Sequence, residues 1–564
     1  MQQAIKDVIT SVLTDLGFEP VEFVVEHPAD PSHGDYATNV ALVCSKQAGQ
    51  VPRPFAERMA AALAGTVDHV ASIDVAGPGF INFTLDRAFF AEQITHIRDA
   101  EKQWGKNDSW AGKTVLVEYT DPNPFKEFHI GHLFTNCVGE SIARLFMMNG
   151  ANTKRVNYQG DVGMHVACAI YGMQQLGITT DSEFSAADLG RAYALGATAY
   201  KADEAAAEPI RTINKQVYER SDDSITALYD RGREVSLAYF ETIYEVLGTK
   251  FDAYFFESEA GPRGKEIVLN NPDAFPESEG ARVFQGEAYG LHTRVFLNTE
   301  GLPTYEAKEL ALPQLKEERC GVYDHSVVST ANEITEYFKV LLKAMEFTAP
   351  ELAAKTEHIG HGTVRLSTGK MSSRTGDVIP ALTFIDEVAD SAKEKMRAVA
   401  NEDTTGENDA LARAIAIAAI KYATLRSNIL QDTVFDKERA LSFEGDSGPY
   451  LQYTHARICS VLKKAAAAGV APDAGTAPPT PYAVERLLYQ FPEVIEAALA
   501  ERAPHQVTVF LTQLASEFNS FYAVEPIAHP EDPHAPYKLA LADAVRITLQ
   551  NGLWTLGIKA PEAM

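Results

Sequence analysis

The sequence predicts an α/β protein: a doubly wound parallel sheet interrupted by an insertion, a small α/β unit ahead of it and an all-α region behind it. Three observations carry this prediction. The apolar strand "TVLVEYT" runs through the loop "DPNPFKEFHIGH" into a helical stripe of Leu133, Val138, Ile142, Leu145 and Phe146, and then into the strand-like "TKRVNYQGDVG". Strand, loop, helix, strand is how a parallel sheet begins. Strand character returns in "GLHTRVFLN", "YDHSVVST" and "TVRLSTGKMSS", while everything beyond about residue 383 reads as helical, broken only at "AAAAGVAPDAGTAPPTPY".

The elements follow in chain order. An amphipathic helix opens the first unit, residues 1–105, and is followed by "VEFVVEHP", the turn-rich "ADPSHGDYATN", a helix through "PFAERMAAALAG" and the alternating "HVASIDVAGPGFINFTL", which reads as paired strands. The break "EKQWGKNDSWAGK" leads into the sheet domain, 106–382. Its insertion, about 165–290, is polar and rich in Ala and Glu. The helical region covers 383–564, with its core at about 440–564.

Composition narrows the function. With 564 residues, 46% of them hydrophobic, the chain is long enough for several cored domains. The first residues lack the unbroken apolar run of a secretory signal, and no stretch is long and apolar enough to span a bilayer. Five cysteines, an odd number without a CxxC, fit neither a disulfide scaffold nor a cysteine zinc site, so a reducing cytoplasm is expected. A net charge of −27 excludes indiscriminate coating of nucleic acid, although a local basic track remains compatible with it.

The tetrapeptide "HIGH" occurs twice, at 129–132 and at 358–361. The first copy lies between a strand and a helix N-terminus, where free N–H groups and the positive dipole end attract phosphate. His129 and His132 can reach one triphosphate there, and Gly131 leaves room for a base or ribose. The second copy continues as a strand, "GTVRLSTGK", with no helix after it, so His358 and His361 are expected to be incidental. That strand enters "GKMSSRTGD", where Gly369, Lys370, Ser372, Ser373, Arg374 and Gly376 suit a polyphosphate-wrapping loop.

"VEYTDPNPFKEFHIGHL" and "RVNYQGDVG", with the KMSKS-like "GKMSSRTGD" downstream, resemble the arginyl-tRNA synthetases, a family of class I aminoacyl-tRNA synthetases. "LGTKFDAYFFES", "GLPTYEAKEL", "ALSFEGDSGPYLQYTHARI", "NGLWTLGIKAPEAM", "HGDYATNVAL" and "AGPGFINF" have counterparts in the same family, so the resemblance spans nearly the whole chain. It implies a Rossmann-type catalytic domain, a tRNA-contacting N-terminal domain and a C-terminal anticodon-binding bundle. The implied partners are arginine tRNA, L-arginine and ATP, the last carrying Mg2+ without a dedicated protein metal site. A monomer without membrane association is expected.

Site residues follow from the same resemblance. His129, Gly131 and His132, with Gly160, Asp161, Lys370, Met371 and Ser372, are expected to bind ATP. Lys370 reaches the leaving phosphates. The second lysine of the KMSKS pattern is absent, and Lys126 or Arg374 is expected to substitute for it. Glu118, Asn123, Tyr305 and Glu309 are expected to bind arginine, since a carboxylate meets the guanidinium fork bidentately. Glu309 replaces the usual aspartate, and Ile334 stands where a glutamine is common. Tyr450, Gln452, Tyr453, Arg457 and Trp554 offer stacking faces, an amide and a cation to unpaired tRNA bases. Two other readings stay open: a different HxGH nucleotidyltransferase, and a non-catalytic tRNA-binding paralogue.

Overall fold

The computed structural model describes residues 1–564 except 20, 203, 368–378 and 401–406; the side chains of 48, 398–400 and 407–408 also lie outside the description. The described chain divides into two compact units. The first holds Met1–Trp104, Ile458–Phe491 and Ser516–Thr548, and the second holds Gly105–Arg457, Pro492–Ala515 and Leu549–Met564. Two stretches of the helical C-terminal region therefore pack in one unit with the N-terminal α/β segment.

In the first unit, β1 (Val25–Glu26), β2 (Tyr36–Thr38), β3 (Val70–Ala76) and β4 (Phe80–Leu85) form an antiparallel sheet in the order β1-β2-β4-β3. The β3–β4 hairpin is the pair expected from "HVASIDVAGPGFINFTL". Tyr489, brought in from the helical region, packs edge-on against Phe89 and Phe90. Arg87 pairs with the buried Glu485 at 2.9 Å.

The second unit is built on β5 (Thr114–Glu118), β6 (Asn152–Gln159) and β7 (Ala253–Phe256). A small antiparallel sheet, β8 (Glu277–Ser278), β9 (Ala281–Phe284) and β10 (Arg294–Leu297), precedes β11 (His325–Ala331) and β12 (Thr356–His361). The five-stranded sheet has the order β12-β11-β5-β6-β7 and is parallel throughout. The edge strand β7 lies inside the stretch 165–290 that reads as an insertion; only four residues long, it is too short to stand out among long helices.

Val115, Leu116 and Val117 are all fully buried, as the central strand of a sheet covered on both faces requires. Leu116, Val156, Tyr158 and Phe255 share one core with the helices Glu257–Asn270, Tyr305–Cys320 and Thr335–Met345. Because side chains alternate along a strand, Glu118 shares the face of Leu116 and meets those helices. From β5 the chain winds outward to β6 and β7, then returns to place β11 on the other side of β5. The C-terminal ends of β5 and β11 thus flank a topological switch point, where open α/β sheets bind ligands.

After β12 the chain leaves this sheet. β13 (Val364–Leu366) pairs instead with β14 (Thr433–Phe435), a short strand within the region expected to be helical. Among the described residues no helix is long and apolar enough to cross a membrane, and all five cysteines are free.

Candidate active site

Beyond Glu118 the backbone turns sharply, with Thr120, Asp121 and Phe125 at φ of 81°, 43° and 67°. Non-glycine residues in this region each cost on the order of 1–3 kcal/mol and persist only where neighbours hold them. Asn136 Nδ2 donates to Thr120 Oγ1 at 3.0 Å, Tyr158 N–H to Asp121 Oδ1 at 2.8 Å, and Phe125 N–H to Ser236 Oγ at 2.9 Å. The bent loop delivers His129 to the N-cap of helix Ile130–Met148.

His129 and His132 form a reciprocal capping box. Gly131 N–H donates to His129 Nδ1 at 3.1 Å, and His129 N–H donates to His132 Nδ1 at 3.3 Å. The rings stack at 3.7 Å and 20°. Burial, followed by the charge of Lys126, lowers the His129 pKa to about 4; burial and then His129 hold His132 well below its ordinary value. Both rings are therefore neutral near pH 7. Each Nδ1 accepts, so each proton sits on Nε2, which gives two N–H donors beside the helix N-terminus. A Cβ on Gly131 would lie 2.9 Å from His129 Cε1, so the room at this glycine is taken by the His129 ring rather than kept for a base.

Lys126 stands at the same place, its ammonium 4.8 Å from the Tyr193 ring centroid and its pKa lowered by burial. His165, whose Nε2 bonds Gly160 C=O at 2.8 Å, is held neutral by burial and then Lys126, at about 3. A Cβ on Gly160 would sit 2.3 Å from Asn123 Oδ1, so this glycine lets the Asn123 amide close over β6. Asp161 is fully buried and accepts from Tyr229, Arg233 and both the N–H and hydroxyl of Ser258. Its carboxylate is thus committed to protein partners, and it braces the loop from within.

The second "HIGH" is the edge strand β12. His358 stacks on Phe338 at 4.0 Å and 5° and shares a 2.7 Å hydrogen bond with Thr330. His361 Nε2 lies 3.1 Å from Thr135 Oγ1, on the helix that the first copy starts. Further along, Ile130 N–H donates to Ile379 C=O at 3.1 Å and Ala381 N–H to Phe128 C=O at 2.8 Å. Residues on both sides of "GKMSSRTGD" are therefore tied to the first copy. Lys370, Met371, Ser372 and Arg374 themselves lie outside the described residues.

The arginine-pocket candidates converge on helix Tyr305–Cys320. Positions 305, 309, 312 and 316 share one helical face, grading from Tyr305 at 61% exposure to the buried Lys316. Pro313 supplies no N–H to the Glu309 carbonyl one turn back. Burial, then the Glu118 charge, pushes both Asp121 and Glu309 well above the usual carboxylate range. Glu118 is paired with Lys316, and Glu257 with Lys308 at 2.6 Å; the Lys308 ammonium lies 5.1 Å from the Tyr305 ring centroid. The phenol oxygens of Tyr158 and Tyr337 are buried with no hydrogen-bond partner among the described residues. Among the described residues, the carboxyls of Glu118, Asp121, Glu257 and Glu309 gather here with the ammonium groups of Lys308 and Lys316. Ile334 is 40% exposed, at the end of β11.

Of the tRNA candidates, Gln452 is a correction: it is fully buried, its amide donating to Lys559 C=O at 2.8 Å, because its helical position faces the C-terminal tail. Tyr453 is exposed with the Arg457 guanidinium 4.7 Å from its ring centroid, and Tyr450 is half-buried. Trp554 is exposed, with Arg144 at 5.0 Å from its ring. Sequence reading missed His165, Tyr158, Glu257, Lys308 and Lys316. The signal for Lys316 was its place on the same stripe as Tyr305 and Glu309.

A family model described as tRNA synthetases class I (R), catalytic domain, matches residues 93–437; the DALR anticodon binding domain matches 451–564, and the arginyl tRNA synthetase N terminal domain matches 1–85. A parallel sheet with paired histidines at the helix following its central strand, within that match, defines a class I aminoacyl-tRNA synthetase. The arginine–tRNA ligase of Clostridioides difficile is 30% identical across 100% of this chain and 99% of its own, and that of Clostridium beijerinckii 30% across 98% and 97%. The chain belongs to the arginyl-tRNA synthetases. Its fold matches the Thermus thermophilus arginyl-tRNA synthetase with a TM-score of 0.81 at 24% identity over 100% of both chains, and the Plasmodium falciparum one at 0.81 and 20% over 100% and 98%.

Proposed function

We propose that this site activates L-arginine with ATP and passes it to the terminal adenosine of arginine tRNA. The arginine carboxylate attacks the α-phosphorus of ATP, which arrives with its Mg2+, and pyrophosphate leaves; a terminal ribose hydroxyl of the tRNA then attacks the arginyl-adenylate carbonyl and AMP leaves. No covalent enzyme intermediate is needed, so the protein positions reactants and stabilises charge growing on phosphate oxygens. The observation that supports this best is the neutral His129–His132 pair, with both Nε2–H donors at a helix N-terminus beside a pocket rich in carboxylates.

In this reading the imidazoles donate to the phosphates, and Lys126 supplies cationic charge there with Lys370 and Arg374. Met371, Ser372 and Gly160 line the nucleotide, and Asp161 shapes that wall. Glu118 and Glu309 meet the guanidinium, Asn123 the amino-acid end, and Tyr305 covers the pocket mouth. Segment 1–105 and the helices of about 440–564 contact the tRNA, with Tyr450, Tyr453, Arg457 and Trp554 as stacking candidates. The protein works in the cytoplasm as a monomer.

The test is ATP–pyrophosphate exchange with each amino acid, with and without cognate tRNA. Exchange is expected with arginine alone among the amino acids, and only when tRNA is present. Exchange driven by another amino acid overturns the substrate assignment, and equal exchange without tRNA overturns the dependence.

A further inference from the structure

Lys316 has no role in the reading above, yet its side chain is only 2% exposed and its Nζ lies 2.7 Å from Oε2 of Glu118, itself 2% exposed. Its hydrogen bond to Ser326 Oγ is long at 3.4 Å. Removing two charges from water costs several kcal/mol per ion, and such a pair is often no more stable than a well-packed apolar one. Packing alone therefore gives no reason for an ammonium here.

The surroundings give one. Glu118 is the last residue of β5 and faces helix Tyr305–Cys320, where Glu309 lies between Tyr305 at the open end and Lys316 at the closed end. Tyr158, 7% exposed and on the same sheet face, has a hydroxyl with no hydrogen-bond partner among the described residues; burial, then Glu257 and Glu309, keep it protonated. The ion pair thus lies at the buried end of the helix face that carries Tyr305 and Glu309. Around Glu118, both Asp121 and Glu309 are driven toward their protonated forms by burial and by the Glu118 charge. Lys316 is the cation set against Glu118 at this end of the helix.

We propose that Lys316 is a positioning residue for arginine selection: its ammonium holds one oxygen of Glu118 and so fixes the orientation in which the carboxylate meets the incoming guanidinium. This rests on the arginine-ligase reading. An oriented acceptor discriminates a planar cation better than a carboxylate that must first choose a rotamer.

The experiment is steady-state aminoacylation with cognate tRNA, comparing the wild type with Lys316→Met and Lys316→Arg. For Lys316→Met the arginine KM is expected to rise roughly tenfold or more, with kcat and the ATP KM close to wild type. Lys316→Arg, which restores a cation, is expected to return the arginine KM toward its wild-type value. Where thermal melts show that the Met variant does not fold, Lys316→Gln replaces it. A folded neutral variant with wild-type arginine KM, or one that loses only kcat, overturns the proposal. A wild type without arginine-dependent charging instead overturns the reading it rests on.

Discussion

At the scale of single residues, the two copies of one tetrapeptide have different fates. His129 and His132 spend their Nδ1 atoms on the helix cap and keep Nε2–H as donors, while His358 is consumed by a ring stack and a threonine hydroxyl. Removing one preorganised donor to developing phosphate charge typically costs about 100- to 1000-fold in kcat. His132→Ala is therefore expected to lower kcat of charging on that order while remaining folded. His358→Ala should lower the melting temperature and leave most of kcat intact. Equal losses of kcat in two folded proteins would refute this ranking. The sequence carried the ranking because a helix stripe follows one copy and an alternating strand follows the other. It could not carry the contact between His361 and Thr135, which joins positions distant in the chain.

At the scale of elements, the insertion is held by two helices in backbone contact. A Cβ on Gly172 of helix Met164–Gln175 would lie 1.9 Å from Ala192 C=O, and one on Gly196 of helix Ala186–Ala202 would lie 1.9 Å from Cys168 C=O. Each glycine seats the other helix's carbonyl, so neither tolerates a methyl group without separation. Overpacking of this kind costs typically about 1–3 kcal/mol. Gly196→Ala is expected to destabilise the protein by about that amount in urea unfolding and, since the same helix places Tyr193 against Lys126, to raise the ATP KM. A variant as stable as the wild type would contradict the contact. Polar, Ala-rich composition marked these segments as helical, but nothing in it revealed which glycines touch. The short β7 was hidden for a related reason: an edge strand of four residues has too little periodicity to be read.

At the scale of the molecule, distant parts of the chain are joined by few, well-placed polar groups. Glu357 on β12 accepts from Arg502 Nη2 at 2.9 Å and pairs with His325 of β11 at 2.7 Å. Although burial alone would raise it, hydrogen bonds from His325 and Arg502 hold the Glu357 pKa down to about 2. A carboxyl with a depressed pKa stabilises the fold above its unfolded value near 4.5, and that stability is lost as pH falls through about 2. Arg502→Ala is expected to cost about 1–2 kcal/mol at pH 7, with the deficit narrowing as pH falls below about 4.5. Urea titrations at pH 7 and pH 3.5 measure this; no deficit at pH 7, or one that grows in acid, would disprove it.

Local pattern determined what local forces decide. The apolar run of β5, the helix start at the first "HIGH" and the stripe of helix Ile130–Met148 were legible, because each depends on neighbours a few positions away. Tertiary structure alone decided the rest. It turned Gln452 inward to the C-terminal tail, spent the Asp161 carboxylate on Tyr229, Arg233 and Ser258, placed stretches of the C-terminal helices in one compact unit with the N-terminal sheet, and set Lys316 behind Glu118. Those outcomes depend on which faces meet across long loops, and burial and charge pairing there are properties of the packed chain rather than of any window of sequence.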